Sequence, residues 1–264
     1  MNSIGWKRAS WILAVWLILF MGGCASQKAE TVVPGKFTVG FDQEFPPMGF
    51  MGEDGEFTGF DLDLAAEVAR RLDLELQLQP VKWDSKDMEL SAGNIDCIWN
   101  GFTINGLEDK YTWTDPYMSN QQVFVVNFDS RIDSLADLKG KTVAVQVDSS
   151  AETALKDNPD LTDSFQDVIT ASDYNSALMD LKAGGVDAVA MDEIVADYRM
   201  KKEKNQFAVL KETLTKEEYG VGFRLGNTAL RDKVQNALED MAKDGSMKTI
   251  SEKWFGKDIT VIGK

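Results

Sequence analysis

A chain of 264 residues with 44% hydrophobic and 27% charged residues carries enough apolar material for a sizeable core, most naturally divided between two domains of modest size. Its formal net charge of −15 argues against nucleic acid as a partner, because phosphate binding needs clustered lysine and arginine. The sequence contains no histidine, which excludes Ser-His-Asp and Cys-His catalysis, Cys/His zinc sites and the commonest proton shuttle, so neither cofactor nor metal is expected.

The N-terminal segment reads as a targeting signal. Lys7 and Arg8 precede an apolar run from Trp11 to Met21, which has the length of a signal h-region and is short for crossing a bilayer. The run ends Met21-Gly22-Gly23-Cys24, a pattern that resembles a bacterial lipobox in which Cys24 is lipidated and becomes the mature first residue. Residues 1–23 are therefore expected to be a lipoprotein signal peptide; plain secretion, with Cys24 incidental, is the competing reading. Residues 24–35, small and polar and closing on Pro34-Gly35, are expected to form a flexible tether. With Cys24 blocked, Cys97 has no intrachain partner and reads as a small buried hydrophobe.

Lys36–Phe41 alternates Phe37, Val39 and Phe41 and reads as the first strand. Two prolines in Asp42-Gln43-Glu44-Phe45-Pro46-Pro47 fix a rigid corner, beside which Phe45 is either core or an exposed stacking ring. A turn at Glu53–Glu56 precedes a helix opening at Gly59-Phe60-Asp61-Leu62-Asp63. Leu62, Ala65, Ala69 and Leu72 share its apolar face, and Asp61 and Asp63 read as helix-start residues at the positive end of the dipole. Leu74–Val81 alternates as a strand; Trp83 and a short helix over Ser85–Ala92 follow. Ile95–Trp99 is a buried strand that breaks at Asn100-Gly101 into a polar loop with Thr103, Asn105, Glu108, Asp109 and Lys110. A strand aimed at a polar loop is how an open α/β sheet presents a ligand crevice. The β-α-β-α-β order implies parallel pairing and right-handed crossovers.

Val123–Val126 is an unbroken apolar strand, and a second β-α series follows it. Its strands are Thr142–Gln146, Val168–Thr170 and Val186–Met191; its helices begin at Ser150 and cover Ser176–Ala183 and Val195–Lys204. Phe207–Leu210 and Tyr219–Phe223 read as two further strands, the second containing Gly220 and Gly222. A helix with Leu230, Val234, Leu238 and Met241 on one face stops at Gly245, and another covers Met247–Phe255. The expected architecture is two α/β lobes, residues 36–122 with 220–264 and residues 127–214. Crossing strands near 123–126 and 215–219 join them as a hinge, with a small-molecule crevice between.

Several short motifs now fall into one order: Phe45-Pro46-Pro47, Gly59-Phe60-Asp61-Leu62-Asp63-Leu64-Ala65, Asn100-Gly101-Phe102-Thr103-Ile104, Thr114-Asp115-Pro116-Tyr117 and Lys253-Trp254-Phe255-Gly256. In this spacing, from about Lys36 to Lys257, the chain resembles the extracellular solute-binding family 3, the polar amino-acid-binding proteins of bacterial ABC importers. The resemblance implies a two-lobe periplasmic-binding-protein fold (type II), each lobe a mostly parallel sheet flanked by helices. It implies a non-catalytic protein, lipid-anchored through Cys24 on the outer face of the cytoplasmic membrane or in the periplasm. Such a protein captures an amino acid or related amine and delivers it to an ABC permease and ATPase complex. By position, Phe45 and Trp83 match the aromatic pair that sandwiches the ligand, and Asn100, Gly101 and Thr103 match strand-end groups that hydrogen-bond its two ends. Ser149 and Ser150 match a helix start that favours a carboxylate, with Gln146 close by. Asp192 matches the partner of the α-ammonium, and Asp42 a position facing the ligand side chain.

One departure stands out. The family usually places an arginine a few residues after Ile104 to grip the ligand carboxylate bidentately. Here Asn105-Gly106-Leu107-Glu108-Asp109-Lys110 puts Leu107 or Glu108 in that place, and no arginine lies between Arg71 and Arg131. Lys110 could substitute as a point charge, the Ser149/Ser150 helix start could act alone, or the solute could lack a free carboxylate. Two other functions use the same fold. A dehydratase or lyase would need Glu108 or Asp192 as a buried general acid, and an extracellular sensor would use the same closure for signalling.

Overall fold

The computed structural model describes residues 31–264. Strand β1 (Lys36–Phe41) is followed by β2 (Glu44–Phe45), β3 (Gly49–Met51) and β4 (Phe57–Thr58), which pair antiparallel as a small separate sheet. Helix α1 (Phe60–Arg71), β5 (Glu75–Pro80), α2 (Lys86–Ala92) and β6 (Cys97–Thr103) complete the first β-α series. β7 (Tyr111–Trp113) and β8 (Met118–Asn127) lead to the second series. That series comprises β9 (Thr142–Gln146), α3 (Ser150–Lys156), α4 (Pro159–Thr162), β10 (Asp167–Ala171), α5 (Tyr174–Ala183), β11 (Ala188–Asp192) and α6 (Glu193–Lys202). β12 (Phe207–Arg224) returns to the first, and α7 (Thr228–Asp244) and α8 (Ser246–Phe255) close the fold.

The strands run β10-β9-β11-β8-β12-β6-β1-β5 across one hydrogen-bonded sheet, with β7 paired to β12. β5, β1 and β6 are parallel at one end, and β10, β9 and β11 are parallel at the other. β8 and β12 lie antiparallel between them, so the two lobes meet along these two strands. One apolar cluster runs through the first lobe and on across β8 to Tyr174, Leu181, Val189 and Val195 of the second, and another lies within the second lobe alone. In the first, Phe37, Val39, Leu64 and Val68 pack with Val234, Leu238 and Met241 of α7; Phe124, Val143, Val145 and Leu155 fill the second. Leu90, Ile98, Phe102, Tyr111 and Trp113 form a third cluster beneath α2.

Two sequence expectations are corrected and a third is extended. The pieces Phe207–Leu210 and Tyr219–Phe223 belong to one strand of 18 residues. Its pairing with β8 slips between Val209 and Thr213 and again before Thr215, which erases the period-2 signal that would have joined them. The strand expected over Ile95–Trp99 does not break at Asn100-Gly101 but continues buried to Thr103. Gly101 sits at φ 56, opposite a register shift between Gly220 and Gly222, so the Asn-Gly pair marks a bulge rather than a loop. Asp61 stands in the first turn of α1 as expected but is fully buried, so its role is not simply that of a helix-start charge. Its Oδ2 accepts the Gly101 N–H at 2.6 Å and the Tyr117 hydroxyl at 2.9 Å, pinning α1 to the bulge. Burial pushes this carboxyl up to about 7 against those two hydrogen bonds.

Other expectations are met. α7 stops at Gly245, whose φ of 82 is a left-handed helix terminus, and Cys97 is buried and has no disulfide partner among the described residues. Cys24, residues 1–23 and the first part of the expected tether lie outside the described residues. Among those described, no helix is long and apolar enough to cross a membrane.

Candidate functional site

Where β6 and the turn after it face the start of α3 and the end of β11, the lobes enclose a cavity of about 450 Å³. Of the residues singled out from sequence, Phe45, Trp83, Gly101, Thr103, Gln146, Ser149, Ser150 and Asp192 line it. Asp42 and Asn100 are not brought to its wall. The Asn100 side-chain Oδ1 instead accepts the Asp42 N–H at 3.0 Å, and Asp42 Oδ1 accepts the Glu44 N–H at 2.8 Å. Asp42 also accepts from Gln146 Nε2 at 2.8 Å, a bond between the two lobes. Burial pushes its carboxyl up to about 6, opposed by these two bonds.

The aromatic wall is preorganised by its neighbours. Phe45 packs against Tyr174 with ring centroids 5.8 Å apart. A Cβ on Gly101 would meet Phe45 Cε1 at 2.8 Å, so only glycine lets this ring sit on the bulge. Trp83 stands edge-on to Phe102 at 5.4 Å. Gly101 spends its N–H on Asp61. Ser149 caps α3 by accepting from Glu152 N–H at 3.2 Å and donates its own hydroxyl to the Gln146 carbonyl at 2.7 Å. The Ser150 hydroxyl accepts from Gln122 Nε2 at 2.8 Å.

Strand register builds the polar floor. β8 lies between β11 and β12, with Gln122 opposite both Asp192 and Thr215 and Asn120 opposite Glu217. Asp192 Oδ1 accepts from Asn120 Nδ2 and Gln122 Nε2, each at 2.9 Å, and from the Tyr219 hydroxyl. Its Oδ2 accepts from the Tyr174 hydroxyl at 2.8 Å. Burial pushes the Asp192 carboxyl up; the tyrosine and amide donors pull against it.

Sequence reasoning did not anticipate several cavity residues. Lys86 of α2 is only 3% exposed, lines the cavity and is ion-paired with Asp148 of the other lobe. Glu217, 4% exposed, shares the floor with Asp192. The polar alternation of Asn120 and Gln122 beside the apolar Val123–Val126 run was an available signal for the floor; Lys86 and Glu217 gave none. The two candidates for the arginine's place are also separated here. Leu107 lines the cavity with Lys110, whereas Glu108 is exposed and outside it. Among the described residues no cluster of three or more His, Cys, Asp or Glu is arranged to hold a metal.

The sequence model of the bacterial extracellular solute-binding proteins, family 3, matches residues 37–257. The L-cystine-binding protein TcyJ of Escherichia coli (strain K12) is 36% identical over 229 residues, covering 86% of this chain and 85% of that protein. ABC transporter arginine-binding protein 1 of the same organism is 28% identical over 251 residues, covering 92% and 98%. Among solved structures, an ABC uptake transporter substrate binding protein from Streptococcus pneumoniae with bound histidine superposes with a TM-score of 0.83 at 36% identity. That match covers 86% of this chain and 95% of the other. The matched span takes in both lobes, both crossing strands and every wall of the cavity, and the chain belongs to the bacterial extracellular solute-binding proteins, family 3.

Proposed function

We propose that this protein captures an amino acid or a related amine-bearing solute between its lobes and delivers it to an ABC permease and its ATPase. The observation that carries this reading is the buried Asp192 carboxylate at the floor of a cavity walled by Phe45 and Trp83. An ammonium gains a charge-assisted hydrogen bond there, and aromatic faces add a cation-friendly wall. Solute-binding relatives named for cystine and arginine, and a structural relative holding histidine, support the amine class. Thr103, Gln146, Ser149 and Ser150 complete the lining, while Asp42 acts behind it by holding the Gln146 amide and Asn100 by accepting the Asp42 N–H.

In this reading the lobes are residues 36–122 with 220–264 and residues 127–214, and closure bends the strands near 123–126 and 215–219. A solute touching both walls favours the closed state by its differential affinity for it. Lipidation of Cys24 tethers the protein on the outer face of the cytoplasmic membrane, within reach of its permease. A thermal-shift screen against the standard L-amino acids, agmatine, putrescine and choline tests the central claim. A binder at 100 times its Kd adds about 2.7 kcal/mol to the stability. A panel in which no member raises the melting temperature overturns the reading.

A further inference from the structure

Asp192 and Glu217 present two buried carboxylates to one end of the cavity, and the same two amides hold both. Asn120 Nδ2 donates to Asp192 Oδ1 at 2.9 Å and to Glu217 Oε1 at 2.6 Å. Gln122 Nε2 donates to the same oxygens at 2.9 Å and 2.7 Å. Two carboxylate oxygens that share two donors are close neighbours, and like charges so placed out of water do not both ionise without a cation or a shared proton. Among the described residues neither carboxylate has a lysine or arginine partner; Lys216, the nearest basic residue along β12, is exposed. The titratable groups in contact with the pair are the hydroxyls of Tyr174 from α5 and Tyr219 from β12, both donating to Asp192; Lys86, Lys110 and Lys216 line the same cavity without pairing with either acid.

The two acids are not equivalent. Asp192 receives donors on both oxygens, whereas Glu217 accepts only through Oε1, and no described residue donates to its Oε2. Glu217 as a whole is 4% exposed and lines the cavity, so a solute there meets a carboxyl with one oxygen uncommitted to the protein. Burial, and then the Asp192 charge, push the Glu217 carboxyl up, consistent with a proton held there at neutral pH.

We propose that Glu217 is a second anchor for the solute's ammonium beside Asp192, and that the ammonium displaces the one proton the two acids share in solute-free protein. The exchange balances: a pair carrying one negative charge and one proton releases that proton to solvent, becomes doubly ionised, and takes the R–NH3+ group in its place. The inference rests on the amine-capture reading and deepens it. It selects solutes with a primary ammonium, whose several N–H donors can reach both acids, over quaternary ammonium compounds, which have none.

Isothermal titration calorimetry of the full chain with the panel above, in phosphate and in Tris at pH 7.5, counts protons from the difference in apparent enthalpy. The expected result for the strongest binder is release approaching one proton, with affinity rising up to tenfold per pH unit between pH 6 and 7. Glu217→Gln should abolish most of the release and weaken binding at least tenfold. Glu218→Gln, an exposed neighbour, should leave the proton count unchanged. A wild-type binder that releases no proton overturns the Glu217 assignment alone, and this result stands even if Glu217→Gln fails to fold. A panel with no binder overturns the amine-capture reading, and choline as the strongest binder overturns the primary-ammonium assignment.

Discussion

The buried ammonium of Lys86 lies 4.9 Å from the ring centroid of Trp83 and is paired, across the cleft, with the carboxylate of Asp148 just before α3. Lys86 also donates to the carbonyls of Trp83 at 3.2 Å and Asp148 at 3.3 Å. One side chain from the first lobe thus holds both a wall of the cavity and the backbone turn that positions Ser149 and Ser150. Asp148 occupies φ 57, a conformation costly for a non-glycine residue, and the cross-lobe bonds are part of what holds it there.

This pair should bias the protein toward closure. Asp148→Asn removes the charge while keeping a side chain of the same size, so the closed state loses its cross-lobe ion pair. Solute affinity should fall about three- to tenfold, as expected when the binding-competent fraction drops. Small-angle scattering of the solute-free protein should show a larger radius of gyration for Asp148→Asn than for wild type. Equal radii and equal affinities would remove the pair from the closing equilibrium.

The pH dependence of stability has a definite sign. In the fold burial raises the carboxyls of Asp61 to about 7 and Asp42 to about 6 from 3.8, and that of Glu217, with the Asp192 charge beside it, to about 8 from 4.5. A raised carboxyl contributes stability that is complete below its unfolded pKa and is lost as pH rises through the folded one. Glu67 and Asp244, lowered to about 2 by their arginine and serine partners, act oppositely below about pH 4, but both are too exposed to dominate. The melting temperature of the solute-free protein should therefore fall between pH 5 and pH 8, and Asp61→Asn should flatten the upper part of that slope by about 3 °C or more. A melting temperature that rises over this interval would contradict the burial of Asp61 as an ionisable group.

Much of this architecture was legible because the signals were local. Period-2 strands such as Lys36–Phe41, the apolar face of α7 and its Gly245 stop all follow from side-chain spacing and backbone conformational freedom. What was not legible depends on pairing. Asp61 reads as a helix-start residue until the Gly101 bulge brings an N–H to it, and β12 reads as two strands because its register slips. Lys86 and Glu217 sit among ordinary surface charges in the sequence, and only the approach of Asp148 and of Asn120 turns them inward. Leu107 and Glu108 are adjacent, so no pattern alone could say which faces the cavity.

Gly101 should tolerate no side chain. Its φ of 56 favours glycine, and an added Cβ would meet Phe45 Cε1 at 2.8 Å and Tyr219 Cε2 at 3.1 Å. Both rings are hemmed in, Phe45 by Tyr174 and Tyr219 by its bond to Asp192. Gly101→Ala is expected to cost about 1–3 kcal/mol in urea denaturation, and solute affinity should fall with it because Phe45 and Tyr219 must move. Unchanged stability would mean that the bulge relaxes at little cost.

The place of the usual carboxylate-binding arginine gives the sharpest test of solute class. Leu107 lines the cavity within the Trp83, Ile104 and Phe102 cluster, so Leu107→Arg carries a guanidinium from an apolar wall toward the space where a solute carboxylate would lie. A bidentate charge-assisted pair is worth about 1.5–3 kcal/mol, or roughly tenfold and upward in affinity. Calorimetric titration should therefore show that Leu107→Arg favours L-arginine over agmatine, its decarboxylated counterpart, by at least about tenfold more than wild type does. Glu108→Arg adds the same charge outside the cavity, and its L-arginine to agmatine ratio should match wild type apart from a small, salt-screened change. If Leu107→Arg leaves the ratio unchanged while wild type already prefers the amino acid, the carboxylate is held elsewhere. Lys86, a buried cation on the same wall, is then the residue to substitute next.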